Sequence, residues 1–241
     1  MDRLIPLIRG DFSRLNKYNL FAANFVVMLV WATLVWFIDA GQLKQFVPVI
    51  FVADSTMMTI LLVGATLFYE KQEHTVNSVM VSPVTEDEYL MAKIIVSVLN
   101  SLITVVIISG ILYFVKDVSY NYLLIALAAV IVTTVHTLIG IFLSYHAKNF
   151  TAVLINLMVY SFVCLFPTLF ASFGLINAKV AKYLIVLPPE AANILFGAGI
   201  KETELWKLVF GFVYLIALAF VLYRFIVKPK FNDYVMREMG V

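Results

Sequence analysis

Six apolar stretches, each long enough to cross a membrane, run through this chain and restrict the folds it can adopt. A helix needs about 20 mostly apolar residues to cross the hydrocarbon core of a bilayer. The stretches are Leu20–Ile38, Phe46–Tyr69, Ile94–Val115, Leu123–Leu143, Thr151–Phe173 and Leu205–Val227. We therefore expect an all-α membrane protein, with six transmembrane helices in residues 20–241 and a separate leader in residues 1–19.

Composition supports a lipid environment. The chain is 63% hydrophobic and 13% charged, whereas soluble domains are about 45–50% apolar and about 25% charged. Its net charge of +2 is too small to indicate a nucleic-acid partner. The single cysteine, Cys164, rules out an internal disulfide and lies within an apolar run.

The distribution of basic residues predicts the orientation, because Lys and Arg concentrate on the cytoplasmic side of cell membranes. If both termini are inside, 11 basic residues lie on the inner side and 6 on the outer side. The inner set is Arg3, Arg9, Arg14, Lys17, Lys71, Lys93, Lys148, Arg224, Lys228, Lys230 and Arg237, and the outer set is Lys44, Lys116, Lys179, Lys182, Lys201 and Lys207. We expect a multi-pass protein of the cell membrane with both termini cytoplasmic.

The leader has the pattern of an amphipathic helix. Leu4, Ile8, Phe12 and Leu15 recur at helical spacing, beside the charged residues Arg3, Asp11, Arg14 and Lys17. This pattern predicts a helix in the inner interface, with its apolar face in lipid and its basic face toward anionic headgroups. The alternative is a solvated leader without a membrane role.

The inner loop, residues 70–93, is the longest polar stretch in the chain. Thr75, Val76, Val79 and Met80 would share one face of a short helix that Pro83 ends. Thr85 and Glu88 then have the spacing of a capping box, which starts a helix leading into the third span. A plain connecting loop, the alternative, would not need these apolar residues.

The outer segment, residues 174–204, is too apolar for an ordinary external loop, yet neither of its apolar pieces is long enough to span a membrane. Pro188 and Pro189 separate the two pieces. Because backbone at membrane depth must be hydrogen-bonded within protein, we expect a broken, re-entrant segment of two half-helices before the last span. The alternative is a cap that lies flat on the outer surface.

Asp54 and His136 are ionisable residues in the interior of predicted spans. A carboxylate in a span is costly and is a functional candidate, so Asp54 is a weak candidate for the substrate pathway. Its position near the predicted outer end of the second span also allows a structural pairing with Lys44 or Lys179. For His136, an interhelical hydrogen bond is a simpler interpretation than proton relay.

Signatures of catalysis are absent from the sequence. It has no Gly-x-x-x-x-Gly-Lys-Ser/Thr phosphate-binding loop, no His-Glu-x-x-His, no Gly-x-Ser-x-Gly and no Cys/His cluster with metal-ligand spacing. We therefore predict that the chain is not an enzyme and has no catalytic and no metal-binding residues.

The inner loop resembles the first cytoplasmic loop of the ABC-2 type (type-2 ATP-binding-cassette) transporter permeases. Glu70, Lys71 and Glu73 correspond to the charged run of that family, Thr75-Val76 to its Thr-Leu step and Ser82-Pro83-Val84 to its Ser/Thr-Pro-Val step. His74 stands where the family usually has glycine. The resemblance extends over the whole chain, because the leader, the six spans and the broken segment also match the outline of that family. Among these permeases, the chain looks most like the small drug- and antibiotic-export branch.

The resemblance implies a permease subunit of an exporter for a hydrophobic or amphipathic substrate. Such permeases pair as dimers with a second copy or a homologue, and each docks a separate ATP-binding cassette subunit that holds ATP and Mg²⁺. This chain would itself need no cofactor. The implied docking residues are Glu70, Glu73, His74, Thr75, Val76, Val79 and Met80.

Two other functions fit six spans. An ion-driven secondary transporter would need ionisable groups at the midplane and usually an internal repeat, for which Asp54 and His136 are thin support. A non-transporting sensor or immunity subunit on the same fold is the other alternative.

Overall fold

The computed structural model describes residues 3–75 and 82–239, and the described residues form helices and connections without a strand. Two helices flank the first connection, α1 (Leu4–Lys17) and α2 (Leu20–Phe37). The others are α3 (Gly41–Gln72), α4 (Glu86–Lys116), α5 (Tyr122–Tyr145), α6 (Phe150–Ser172), α7 (Ala178–Ala181), α8 (Pro188–Ala198) and α9 (Leu205–Met236). Six of these, α2 to α6 and α9, are long and apolar enough to span a membrane, which confirms the predicted number.

Several helices extend beyond the apolar stretches that predicted them. α3 begins at Gly41 rather than Phe46, and α4 begins at Glu86, well before Ile94. The start of α4 is fixed by the predicted capping box: the backbone N–H of Glu88 donates to Thr85 Oγ1 at 3.2 Å, and the Thr85 N–H donates to Glu88 Oε2 at 2.9 Å. A hydropathy pattern identifies only the apolar part of a helix, so it underestimates the length of helices that have polar ends.

Burial separates the inner helices from the outer ones. In α3 and α5, 72% and 61% of the most apolar window is buried within the protein, against 17% in both α2 and α9. α5 is the centre of the bundle and packs against α3, α4, α8 and α9. The chain thus exposes α2, α6 and α9 to the surroundings, which suits lipid contact.

A glycine permits close contact between α3 and α5. A Cβ atom built on Gly140 of α5 would lie 2.4 Å from Val63 Cγ1 and 3.2 Å from the Ile60 Cα of α3. Small residues at such crossings let two helix backbones approach closely. The α3–α5 contact therefore depends on the missing side chain at position 140.

The broken segment before α9 contains α7, a 3₁₀ turn at Lys182–Val186, and α8. Leu187 is extended, with φ −80° and ψ 131°, and Pro188 and Pro189 occupy the first turn of α8. Proline suits this position because it has no N–H to leave unbonded. The break at the prolines agrees with the sequence, while the depth of the segment in a membrane stays a prediction.

α8 itself is an interior element. Ala191, Ala192, Leu195 and Phe196 are fully buried, and the helix contacts α3, α5 and α9. Its Phe196 ring stacks on Phe51 of α3, with centroids 5.5 Å apart. α8 is thus enclosed by the bundle over most of its length, unlike an external loop.

Three spans contain a π-helical turn: Asp54–Met58 in α3, Ser161–Leu165 in α6 and Leu222–Val227 in α9. The second lies just before Pro167, and proline distorts a helix because it has no backbone N–H to donate. Such wide turns in α-helices are uncommon and often occur at functional sites. The first of them includes Asp54.

Candidate functional site

Four charged side chains meet at the end of the bundle that carries the α3–α4 loop. Lys93 Nζ of α4 lies 2.7 Å from Asp11 Oδ1 of α1 and also pairs with Glu70 Oε1 of α3. Arg14 of α1 contacts both acids, with Nη2 2.8 Å from Asp11 Oδ1 and Nε 2.9 Å from Glu70 Oε1. Tyr89 completes the group by donating its hydroxyl to Glu70 Oε2. We call these five residues the charge cluster.

The charge cluster is almost completely enclosed. The side chains of Glu70, Lys93 and Asp11 are 1%, 3% and 4% exposed, and Arg14 is 18% exposed. Removing charges from water is expensive, and their attraction offsets that cost only if each charge has well-placed partners. Here two acids face two bases, so the enclosed formal charge is zero.

Asp11 shows how the neighbours overcome the effect of burial. Burial alone would raise its pKa, but the positive charges of Lys93 and Arg14 and their hydrogen bonds hold the pKa of the carboxyl below its ordinary value of 3.8. The resulting stabilisation is fully present above pH 3.8 and is lost as the pH falls through the lower, folded value. The Asp11 carboxylate is therefore ionised near neutral pH.

The position of α1 corrects part of the prediction for the leader. The helix is present, but Asp11 and Leu15 turn into the protein and are buried, and α1 packs against α2, α3 and α4. Asp11 and Arg14 were expected on a face toward headgroups. The spacing of residues in α1 could not reveal this, because their partners Glu70 and Lys93 are distant in sequence.

The structure places the predicted docking residues in different environments. Glu70 is buried in the charge cluster, so its side chain does not lie at the surface in this conformation. Glu73 and His74 are exposed. Thr75 donates a hydrogen bond from Oγ1 to the Glu70 carbonyl at 3.1 Å. The three apolar residues of the loop face, Val76, Val79 and Met80, lie outside the described residues.

Two local features shape the exposed part of this loop. His74 has φ +52°, a left-handed conformation that costs most residues energy and that glycine adopts freely. Histidine stands here in place of the glycine usual in the resembling family. Glu73 pairs with Lys17 of α1 at 2.5 Å. α1 therefore contacts the start of the loop through Lys17 as well as through the charge cluster.

Polar side chains continue from the charge cluster along the facing sides of α3 and α4. Ser55 and Ser101 share a hydrogen bond of 3.3 Å, and Asn24 of α2 donates to Asn100 Oδ1 at 3.2 Å. A small cavity lined by Thr59, Thr66, Lys93, Ser97 and Asn100 opens beside them. We call this row the polar seam; its members are Ser55, Thr59, Thr66, Ser97, Asn100, Ser101 and Thr104.

Asp54 lies at the far end of the polar seam, and its position corrects the sequence interpretation. Because α3 begins at Gly41, Asp54 lies about 20 Å along the helix at 1.5 Å per residue, far from the outer rim. It is 4% exposed, and among the described residues neither Lys44 nor Lys179 pairs with it. Its carboxyl instead faces Thr104 and Trp31. Within the described structure, Asp54 Oδ1, Thr104 Oγ1 and Trp31 Nε1 have no hydrogen-bond partner.

We expect Asp54→Asn to change the free energy of unfolding by less than about 1 kcal/mol. The amide keeps the shape of the carboxyl, adds N–H donors for Thr104 and removes an unpaired charge from the bundle. Thermal unfolding in detergent and transport in cells measure the effect. Asp39→Asn, at an exposed site before α3, is the control. Transport reduced about a hundredfold with normal folding would instead show that the charge itself is required.

His136 links two spans through both ring nitrogens. Nδ1 lies 2.7 Å from the Val132 carbonyl and Nε2 lies 2.9 Å from the Tyr160 hydroxyl of α6. The carbonyl can only accept, so Nδ1 carries the proton and Nε2 accepts from Tyr160. This is the interhelical hydrogen bond favoured by the sequence interpretation, and it leaves the imidazole neutral.

Comparison with known proteins identifies the class of protein that has this fold. Residues 2–239 match the model of the fluoroquinolones export permease protein family. The chain is therefore a multi-pass membrane permease, and the match confirms the resemblance to the ABC-2 type drug-export permeases.

Within that class, the chain belongs to the fluoroquinolones export permease protein family. It is 26% identical, over 243 aligned residues that cover all of both chains, to a fluoroquinolones export permease protein of Mycobacterium tuberculosis strain CDC 1551 / Oshkosh. The corresponding protein of strain ATCC 25618 / H37Rv has the same identity and coverage.

Proposed function

We propose that this permease exports a hydrophobic or amphipathic drug-like molecule across the cell membrane, driven by ATP that a separate subunit hydrolyses. The observation that carries the proposal is the family match over residues 2–239. Both relatives are named as exporters of fluoroquinolones, which makes antibiotics of this kind the first substrates to test.

The ATPase docks, in this proposal, on the loop between α3 and α4. Its contact surface consists of exposed Glu73 and His74 together with Thr75 and the apolar residues Val76, Val79 and Met80. The last three lie outside the described residues, so their part rests on the sequence pattern. Glu70 is not included, because the protein itself encloses that side chain.

The charge cluster then transmits movement of the loop to the spans. Glu70 ends α3 on one side of the loop, Lys93 begins the apolar part of α4 on the other, and Asp11 and Arg14 tie both to α1. Since a tightly paired, enclosed cluster resists separation of its members, a push on the loop moves these three helices together. ATP can shift the equilibrium between two states of the transporter only to the extent that it binds one state more tightly than the other.

The remaining parts of the proposal follow the family. Two permease chains pair in the bilayer, both termini face the cytoplasm as the 11 to 6 distribution of basic residues favours, and ATP and Mg²⁺ bind to the partner ATPase. The chain requires no cofactor and no nucleic acid of its own.

Val79→Asp tests the docking proposal. A cleft on the ATPase would bury Val79, and burial of a valine contributes about 1.5–3 kcal/mol; a carboxylate would reverse that gain. We expect the ATPase to be lost when the tagged permease is purified, and transport to stop. The yield and elution profile of the permease should stay normal, since the loop is outside the bilayer.

Val180→Asp is the matched control, because it makes the same chemical change at an exposed residue of α7, at the opposite end of the bundle. It should leave the ATPase bound. If Val79→Asp retains its ATPase and transports normally, the docking surface lies elsewhere.

A further inference from the structure

A polar cavity lies where the last turn of α5 meets the final turns of α9, at the end of the bundle that carries the α3–α4 loop. Tyr145, His146, Lys230, Asp233 and Tyr234 line this cavity. Its volume is about 70 Å³, several times the roughly 10–15 Å³ that one water needs. The cavity can therefore admit a polar group larger than water.

Two tyrosines form the wall of this cavity on the side of the protein core. The rings of Tyr145 and Tyr234 stack with their centroids 4.7 Å apart, and both side chains are buried. The Tyr145 hydroxyl is itself enclosed, so these rings give the cavity its shape. The exposed residues His146, Lys230 and Asp233 supply the polar groups that a ligand can reach.

Lys230 supplies a positive group whose position is fixed by a ring. Its Nζ lies 4.9 Å from the centre of the Phe142 ring of α5, and the face of an aromatic ring attracts a cation. Within the described part of the chain, Lys230 forms no ion pair. The N–H donors of its ammonium group can therefore meet an anionic oxygen in the cavity.

Asp233 supplies a negative group one turn further along α9. Residues three apart on a helix have Cβ atoms about 5–6 Å apart, yet among the described residues Asp233 pairs neither with Lys230 nor with another base. His146 adds an acceptor. Its Nδ1 lies 2.9 Å from the Phe142 carbonyl, so in the neutral ring Nδ1 carries the proton and Nε2 accepts. The cavity thus combines a cationic donor with two acceptors.

This combination of charges favours a zwitterion over a simple ion. Asp233 would repel an anion and Lys230 would repel a cation, whereas a molecule with an anionic group and a nearby ammonium group satisfies both residues. One turn further into the membrane, Phe142 and Ile226 are half-buried at the edge of the core, where they can contact acyl chains. A zwitterion that carries acyl chains is a phospholipid.

We propose that this cavity binds the headgroup of an ethanolamine phospholipid from the adjoining leaflet. Its phosphate oxygens accept from Lys230 Nζ, and its ammonium group donates to the Asp233 carboxylate and to His146 Nε2. A choline headgroup has methyl groups in place of these N–H donors, and a glycerol headgroup has no positive charge. The site needs neither the ATPase nor a transport substrate, so it can be tested on the purified permease alone.

Native mass spectrometry of the permease in detergent measures how tightly each added lipid binds. Three phospholipids with the same acyl chains are compared, with ethanolamine, choline or glycerol headgroups. We expect the ethanolamine lipid to bind about threefold to fivefold more tightly than the other two, which is the contribution of a good exposed charge pair. Tightest binding of the glycerol lipid would indicate a site for anions and would overturn the proposal.

Two variants separate the two halves of the headgroup. Asp233→Asn should remove the preference for ethanolamine over choline, because the amide has lost the charge that attracts the ammonium group. Lys230→Met should weaken binding of all three lipids by about threefold to fivefold, because all three carry the phosphate. Both residues are exposed, so thermal unfolding should stay unchanged. Asp39→Asn and Lys179→Met are the same changes at exposed positions of the opposite end, and they should alter neither result.

Glycerophosphoethanolamine, the same headgroup without acyl chains, distinguishes a lipid site from a site for a soluble zwitterion. At a concentration equal to that of the ethanolamine lipid, it should leave the bound lipid in place. Equal competition would assign the site to a soluble zwitterion and would contradict the proposal. A preference for ethanolamine that survives Asp233→Asn would also contradict it, because the lipid would then bind elsewhere on the protein.

Discussion

Lys93→Met is expected to destabilise the protein by about 3–5 kcal/mol, the usual cost of removing one partner from a buried ion pair. Lys93 contacts both Asp11 and Glu70, so its loss leaves two enclosed carboxylates with Arg14 alone. Thermal unfolding of the purified permease in detergent measures the effect. For a chain of this size, 1 kcal/mol corresponds to about 2–4 °C, so the midpoint should fall by about 6–20 °C.

The double variant Lys93→Met with Glu70→Gln provides the sharper comparison. It removes one positive and one negative charge, leaving Asp11 paired with Arg14 at 2.8 Å. The double variant should lose less stability than the two single variants lose together, because the two residues interact directly. Lys179→Met, at an exposed position, should leave the midpoint unchanged. A midpoint that stays the same in Lys93→Met would mean that the cluster does not hold these helices together.

Gly140→Leu is expected to abolish the native bundle. Even the Cβ atom of a new side chain would overlap Val63 and press on the backbone of α3 at Ile60. Overpacking by single methyl groups costs about 1–3 kcal/mol, so Gly140→Ala should already lower stability, and the four-carbon side chain of leucine would force the two central helices apart. The yield of monodisperse protein in size-exclusion chromatography measures the loss.

A glycine in another span supplies the control for this prediction. At Gly110 of α4, an added Cβ would meet nothing within 4 Å, and alanine is the better helix former. Gly110→Ala should therefore leave the yield and the elution profile unchanged. Normal folding of Gly140→Leu would show that α3 and α5 can separate without loss of the fold.

The six spans were predictable because the physical requirement is local: each one needs a run of apolar residues of sufficient length. The capping box at Thr85 and Glu88 was predictable for the same reason, since its two members are three residues apart. The break at Pro188 and Pro189 follows from the missing N–H of proline. Each of these features can be recognised within one short stretch of sequence.

The charge cluster was not predictable because it depends on how distant segments pack. Glu70 follows an apolar run and has the pattern of an exposed residue at a helix end; only the arrival of Lys93 and Arg14 makes its burial tolerable. Asp54 was misplaced for a related reason. Lys44 and Gln45 were assigned to a loop, yet α3 continues through them, which moves Asp54 deep into the bundle. A carboxylate directly after one apolar run, matched with a lone lysine directly before the next, is the signal that could have indicated the cluster.

The enclosed position of α8 constrains the order in which this protein can be assembled during synthesis. The slot that receives α8 is bounded by α3 and α5, made earlier, and by α9, made last. Leu195 of α8 rests against Gly211 of α9, where an added Cβ would lie 2.8 Å away. Residues 188–198 therefore cannot complete their packing until the final span has entered the membrane. A chain truncated before Leu205 would have five spans and an α8 that lacks its contacts with α9. Quality-control proteases can recognise such an incompletely packed apolar segment.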